Sequence, residues 1–244
     1  MGTGLRLGLI PDFGTSASGA FVDQVRLADS LGFHIIWTGE AYGCDAVVPL
    51  AYAAAVTERV RLGTAAMQMP ARTPAMTAMT AMALDEVSGG RFVLGLGMSG
   101  PQVVEGWHGR PFVRPLTATR EYVEIVRRAL AREAPLTLDG SVYQVPYGGE
   151  GATGLGKPLK IMGHPRADIP LYLAAVGPKN VRLATEIADG FLPHIWSPTR
   201  WKGAFGEALS GADFASFDVA ATVYVEMGED IQQCRDAVRP HLAL

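Results

Sequence analysis

The sequence predicts an α/β protein whose parallel sheet is covered by helices, and three observations carry that expectation. Apolar, β-prone runs alternate with helical segments along nearly the whole chain. The runs are apolar almost throughout rather than at every second residue, as strands buried on both faces must be. With 244 residues, 48% hydrophobic and 18% charged, the chain can build one barrel of about 250 residues or two small domains.

Taken in order, Leu5–Asp12 reads as a strand and Ala20–Leu31 as a helix with Phe21, Val25, Ala28 and Leu31 on its apolar side. Gly32 separates it from a second strand, Phe33–Glu40. Ala46–Thr57 is helical, and Arg61–Gln68 is a third strand. Pro74–Val87 is an Ala/Met-rich helix with proline in its first turn, where the missing N–H leaves nothing unpaired. Ser88-Gly89-Gly90 closes it. Strand four lies within Arg91–Gly109, and Leu116–Arg132 is an amphipathic helix. Residues 133–170 hold seven glycines and five prolines and little periodicity, apart from a hairpin-like patch at Leu136–Val145. Because the alternation resumes beyond them, they read as an insertion. Leu171–Val176, Gly190–Trp196 and Val219–Met227 are strands five to seven, with helices at Pro178–Ala188, Thr199–Leu209 and from Glu229 onward. That makes seven β-α units where a closed barrel needs eight. One single-domain barrel, residues 1–244, lacking its last β-α unit in this chain, is expected.

Net charge is −3, and no Lys/Arg cluster exceeds the pair Arg127–Arg128, which argues against nucleic acid or anionic membranes as partners. Cys44 and Cys234 form neither a disulfide framework nor a metal spacing, as suits a reducing cytoplasm. No secretory leader or apolar run of 18 residues is evident, so no membrane span is expected.

Gly95, Gly97 and Gly100 spell G-x-G-x-x-G after an apolar run, the fingerprint of a dinucleotide-binding fold. Two features oppose that reading: the run is the fourth strand, not the first, and Pro101 and a further loop follow, with the next helix expected only at Leu116. Two others stay open. The glycines ease a turn, or they let backbone approach a planar ligand. In Leu173–Ala184 a strand ends at Gly177, and Pro178, Lys179 and Asn180 open a helix. Its free N–H groups suit a phosphate, although Gly-Pro is also simply a good helix start.

Other strand ends gather polar and aromatic groups on the face where barrels bind ligands. These are Asp12 and Phe13, then Thr38, Glu40 and Tyr42, then Met67 and Gln68, then Ser99, then His194 and Trp196. Each alone is explained as a cap or rim residue. Ala65 and Ala66 end strand three with side chains small enough to present backbone to a ring, or merely to pack tightly. His34 begins its strand and reads as structural, while His108, His164 and His241 carry no signal. No Ser/His/Asp or Cys/His set and no metal-ligand group is visible.

Together the stretches WTGEAYGCDA, RLGTAAMQMPARTPAMTAMTAMALDEVSGGRFVLGLGMSGPQVVEGWHG and LAAVGPKNVRLATEIADGF resemble the luciferase-like monooxygenase superfamily, and more closely its coenzyme F420-dependent oxidoreductases. The resemblance implies a TIM-type (β/α)8 barrel with insertions and a cofactor across its C-terminal face. It implies a non-proline cis bond at Ala65–Ala66 bulging toward the ring, with Thr38, Met67 and Gln68 nearby. Gly97, Met98, Ser99 and Gly100 would edge the ring and its ribityl chain, and Gly177, Pro178, Lys179 and Asn180 would hold the phosphate. Relatives that oxidise alcohols carry Asp-His where this chain has Glu40-Ala41, so it looks more like the methylenetetrahydromethanopterin reductase branch. Relatives also continue past the equivalent of Leu244 and supply strand eight there.

The implied activity is hydride transfer between C5 of the deazaflavin and a small organic substrate, in a cytoplasmic homodimer. Glu40 is the first candidate for the proton-relaying group and His194 the second. Lys157, Lys160 and Arg166 are candidates to meet the acidic cofactor tail, and the insertion is expected to set specificity. The alternatives are an FMN-dependent monooxygenase on the same barrel, and a non-catalytic cofactor-binding or partner subunit.

Overall fold

The structure, a computed structural model, describes residues 5–11 and 19–242; the expected rim residues Asp12 and Phe13 lie outside them. The elements are β1 (Gly8–Leu9), α1 (Gly19–Ser30), β2 (Ile35–Thr38), α2 (Val47–Val56), β3 (Arg61–Thr64), β4 (Met67–Gln68), α3 (Pro74–Val87), β5 (Phe92–Gly97), α4 (Pro101–Gly106) and α5 (Pro115–Ala131), followed by β6 (Leu138–Asp139), β7 (Gln144–Val145), β8 (Leu171–Ala175), α6 (Pro178–Ile187), β9 (Gly190–Pro193), α7 (Trp201–Phe205), β10 (Asp218–Val219) and α8 (Ile231–Leu242).

The main sheet is parallel and runs β1-β2-β3-β5-β8-β9-β10, with β4 also pairing β5. Strands follow one another in chain order with no reversal. A dinucleotide-binding fold needs a switch point where the order turns back. The topology therefore excludes that reading, and the sheet is the curled sheet of a TIM-type barrel. Its two ends approach each other: Arg6, just before β1, reaches Asp218 at the start of β10 in a 2.6 Å ion pair.

Alternate residues of each strand serve two cores. Ile36, Leu62, Phe92, Leu94, Leu96, Leu171, Leu173 and Phe191 pack outward against the helices. Ile35, Trp37, Val93, Tyr172 and Leu192 fill the interior. Large rings there lie on glycines. A Cβ on Gly63 would fall 2.3 Å from the Trp37 ring, and one on Gly190 2.7 Å from the Tyr172 ring. Trp37 and Tyr172 meet at 5.8 Å, tilted by 52°, an arrangement worth more than area alone.

Three expectations need correction. The single third strand is two, β3 and β4, broken at Ala65–Ala66. Strand seven is Asp218–Val219 rather than Val219–Met227; beyond it, among the described residues, no strand partners the other side, and Val223, Val225 and Met227 are exposed. β-propensity without a partner surface does not make a strand. The loop expected after Gly100 contains α4, with Gly100 as its N-cap and Pro101 in its first turn.

The insertion leaves from the C-terminal end of α5, at the end of the barrel opposite the strand C-termini. Its β6–β7 hairpin docks on α5 through Glu121, whose carboxylate accepts from the N–H groups of Ser141, Val142 and Tyr143 at 2.7, 2.9 and 2.8 Å. Arg166 donates to Asp85 at 2.8 and 3.1 Å and to Gly90 O, and Lys160 to Glu133 O. Both cations are thus occupied away from the mouth, against the expectation that they meet a cofactor tail.

Candidate functional site

The C-terminal ends of β2, β3, β4, β5 and β8 converge on a strip without bulky side chains. The Ala65–Ala66 bond is cis, where the sequence resemblance placed it. Ala65 N–H donates to Thr38 O at 2.6 Å and Glu40 N–H to Ala66 O at 3.1 Å, so the bend is stitched to the end of β2. Thr38 Oγ1 in turn donates to Ala46 O at 2.8 Å, tying β2 to the start of α2.

The three glycines of the G-x-G-x-x-G run have three different physical reasons. A Cβ on Gly95 would stand 1.8 Å from Thr64 O, so only glycine lets β5 run this close to β3. Thr64 Oγ1 clasps the same residue, donating to Gly95 O at 2.7 Å and accepting from Gly95 N–H at 2.9 Å. Gly97 faces the methyls of Ala66 and Ala174, which a Cβ would meet at 3.3 and 3.5 Å. Gly100 caps α4. The left-handed backbone in this run belongs to Ser99, at φ 63°, a conformation non-glycine residues seldom adopt. Gly97, Ala66 and Ala174 form a surface nowhere larger than a methyl, and a flat polycyclic ring fits such a surface.

Beside this strip lies a polar cluster. Glu40 is almost wholly buried, its side chain 7% exposed. It accepts from Gln68 N–H at 2.9 Å, from Ala46 N–H at 3.3 Å and from Arg72 Nη1 at 2.7 Å, and Arg72 Nη2 lies 2.7 Å from its other oxygen as an ion pair. Burial alone would depress the Arg72 pKa; the hydrogen bond and charge of Glu40, then the charge of Asp45, outweigh it and hold the guanidinium above its ordinary value. Asp45 shares that guanidinium at 2.5 Å. Tyr122 donates to Arg72 O and exchanges a hydrogen bond with Thr77, and burial raises its pKa.

Gln68 completes the cluster and connects it to a residue the sequence reading passed over. Its amide NH2 donates to Ala41 O at 2.8 Å, and its carbonyl oxygen lies 2.8 Å from His108 Nε2. His108 follows α4 directly, its N–H bonded to Val103 O. The available signal was Gly100-Pro101, the same helix-opening pair that is legible at Gly177-Pro178.

At that second pair, Gly177 caps α6 and accepts from Asn180 N–H and Val181 N–H, both at 3.0 Å. Pro178 has no N–H, which leaves the Gly177 and Lys179 amides to meet an anion. Pro178 and Lys179 border a cavity of about 610 Å³ with Thr117, Arg120 and Arg182. Met98 is half-buried against the outer core. Met67 is buried there, pointing away from the strip. His194 lies exposed just past β9, and Trp196 beyond it stacks on Trp201 at 5.4 Å. His34 sits at the opposite end, its pKa lowered by burial and by Arg6 and Arg61, as expected of a structural residue. Among the described residues, no group of three or more His, Cys, Asp or Glu gathers to hold a metal, and no helix is long and apolar enough to cross a membrane.

Comparison with known proteins identifies this arrangement. A family model described as luciferase-like monooxygenase matches residues 11–244. A Mycobacterium tuberculosis protein named as a coenzyme F420-dependent oxidoreductase is 48% identical over the whole of this chain, which covers 73% of that protein. The 5,10-methylenetetrahydromethanopterin reductase of Methanolobus tindarius is 31% identical over 88% of this chain, and the chain spans only 63% of its length. Among solved structures, the coenzyme F420-dependent tetrahydromethanopterin reductase of Methanopyrus kandleri superposes with a TM-score of 0.73 at 26% identity, covering 95% of this chain and 69% of that one. An F420-dependent secondary alcohol dehydrogenase with an F420-acetone adduct gives 0.79 at 19% identity, covering 96% and 73%, a likeness of fold. The chain belongs to the luciferase-like monooxygenase family.

Proposed function

We propose that this chain forms the cofactor-binding part of an oxidoreductase that uses coenzyme F420 to move a hydride to or from a small organic substrate. The observation that carries the reading is the methyl-and-glycine strip of Ala66, Gly97 and Ala174 at the C-terminal ends of the strands. The names of the relatives at 48% and 31% identity support F420 over FMN.

When bound, the deazaflavin supplies a hydride donor or acceptor at C5. The protein's part is to orient it and exclude water. Thr38, Ala65, Ala66 and Gly97 present backbone to the ring. Gln68, Met98, Ser99 and Gly100 flank it, with Met67 packed behind. Gly177, Pro178, Lys179 and Asn180 receive the phosphate at the α6 N-terminus. Glu40 is the carboxylate of the site, and its three hydrogen bonds and its ion pair make it the fastener of the β2 and β4 ends. Glu40 and, second, the exposed His194 are the proton-exchange candidates carried over from the sequence. The reading includes a cytoplasmic homodimer, and light scattering on the purified protein checks its dimeric state.

The test is a titration of the protein with F420 and with FMN, following cofactor fluorescence. Saturable F420 binding with negligible FMN binding supports the reading. The reverse result overturns it in favour of an FMN monooxygenase on the same barrel, and binding of neither favours a non-catalytic subunit.

A further inference from the structure

The hydrogen-bond chain from Ala41 through Gln68 to His108 fixes which ring nitrogen of His108 carries a proton. Ala41 O can only accept, so the Gln68 group facing it at 2.8 Å must be the NH2. The carbonyl oxygen of Gln68 is therefore the atom 2.8 Å from His108 Nε2, and it too can only accept. Nε2 must then bear hydrogen in either charge state of the ring. The neutral ring has its lone pair at Nδ1, and among the described residues Nδ1 has no hydrogen-bond partner. His108 is half-buried, and its N–H is anchored to Val103 O in the turn that ends α4. The helix it ends is capped by Gly100, three residues past Gly97 of the strip. Gln68 is itself 4% exposed and pairs in register with Gly97.

We propose that His108 is the proton-exchanging group of this site, acting at Nδ1, and that Gln68 is its positioning residue. This rests on the deazaflavin reading above. The doubly protonated ring releases the Nδ1 proton to the substrate oxygen or nitrogen that gains an electron pair on reduction. It keeps Nε2–H on Gln68 and recovers a proton from water. In the oxidative direction, neutral Nδ1 takes the proton from the substrate and passes it to water. Glu40 lacks this freedom, because backbone N–H groups and a guanidinium occupy its oxygens.

The first test needs no cofactor. Long-range ¹H–¹⁵N correlation spectra of the wild-type protein should show neutral His108 as the Nε2–H tautomer. The Gln68→Leu variant should relax from that single tautomer toward the mixed tautomer population of a free histidine. An Nδ1–H tautomer in the wild type, or a wild-type tautomer ratio no higher than that of Gln68→Leu, overturns the proposal.

The second test uses F420 and, as an acceptor probe, 2-cyclohexen-1-one. His108→Asn should bind F420 within about threefold of wild type while oxidising reduced F420 about 100-fold more slowly. Gln68→Asn should recover part of the rate lost in Gln68→Leu. A His108→Asn rate within about threefold of wild type overturns the proposal. A wild type that binds no F420 sinks the deazaflavin reading instead, while the tautomer spectrum still reports on the His108–Gln68 pair.

Discussion

Gly95 and Gly97 lie two residues apart on the same strand, yet alanine at each should fail in opposite ways. At Gly95 the new methyl would stand 1.8 Å from Thr64 O and 2.8 Å from Leu192 Cδ1. The first of these is backbone, so β5 and β3 must move apart by more than an ångström. That movement breaks both Thr64–Gly95 hydrogen bonds, each worth about 1 kcal/mol, and adds overpacking strain of about 1–3 kcal/mol. Gly95→Ala should therefore lose about 3–5 kcal/mol of stability. At Gly97 the methyl would meet only two other methyls, at 3.3 and 3.5 Å. Repacking there should cost under about 1.5 kcal/mol, but the methyl fills the surface on which the ring lies. Gly97→Ala should fold normally and bind F420 at least about 10-fold more weakly, a loss of about 1.4 kcal/mol. Urea unfolding followed by tryptophan fluorescence, together with F420 titration, separates the two. A Gly95→Ala protein with an unchanged midpoint would refute the steric argument, and unaltered F420 affinity in Gly97→Ala would refute the placement of the ring.

Three further outcomes are expected. The Glu121 carboxyl has burial against it, but the N–H groups of Tyr143, Val142 and Ser141 outweigh burial and lower its pKa. Its stabilisation is therefore fully present above the unfolded value of about 4.3 and is lost as pH falls through the lower folded value. The urea midpoint of Glu121→Gln should lie below wild type at pH 7 and converge with it toward pH 3; a constant gap would contradict this. Tyr122→Phe removes a buried hydroxyl bonded to Thr77 and Arg72 O, and should lower stability by about 1–2 kcal/mol in the same assay. Lys179→Ala should weaken F420 binding severalfold at low salt and less at high salt, because its charge is exposed and screened.

The barrel was legible because each strand is apolar on both sides, and two cores demand that. The run Phe92, Val93 and Leu94 reads as part of strand four for this reason, and its burial is complete. Helix α3 has the bounds expected from Pro74 in its first turn and Ser88-Gly89-Gly90 at its end, and the structure adds a cap at Thr73, which accepts from Met76 N–H. What failed lacked such marks or lacked a partner. Helix α4 has six residues, too few for periodicity, and its glycine at 106 reads as a loop. Val219–Met227 has the composition of a strand, but composition does not supply a neighbour. Glu40 stands out in the sequence because it ends an apolar strand, whereas the link from His108 to Gln68 spans 40 residues and no local pattern records it.

Proton exchange, expected of Glu40 from the sequence, falls here to His108 while Glu40 fastens, and Glu40→Gln tells the two assignments apart. A glutamine there cannot satisfy the same neighbours. One of its two terminal groups is a donor, and the cluster offers Gln68 N–H, Ala46 N–H and the Arg72 guanidinium, all donors. Arg72, 17% exposed, would keep only Asp45 as a counter-ion. Breaking a buried pair in this way costs about 3 kcal/mol. The loss should appear first as a lower unfolding midpoint, with F420 affinity weakened because β2 and β4 are no longer fastened together. If Glu40 only fastens, the pH profile of the residual rate keeps its shape and the His108 tautomer survives. If Glu40 also exchanges the proton, Glu40→Gln lowers the midpoint and in addition removes one limb of that profile. We expect the first outcome, because backbone N–H groups and the Arg72 guanidinium engage both Glu40 oxygens.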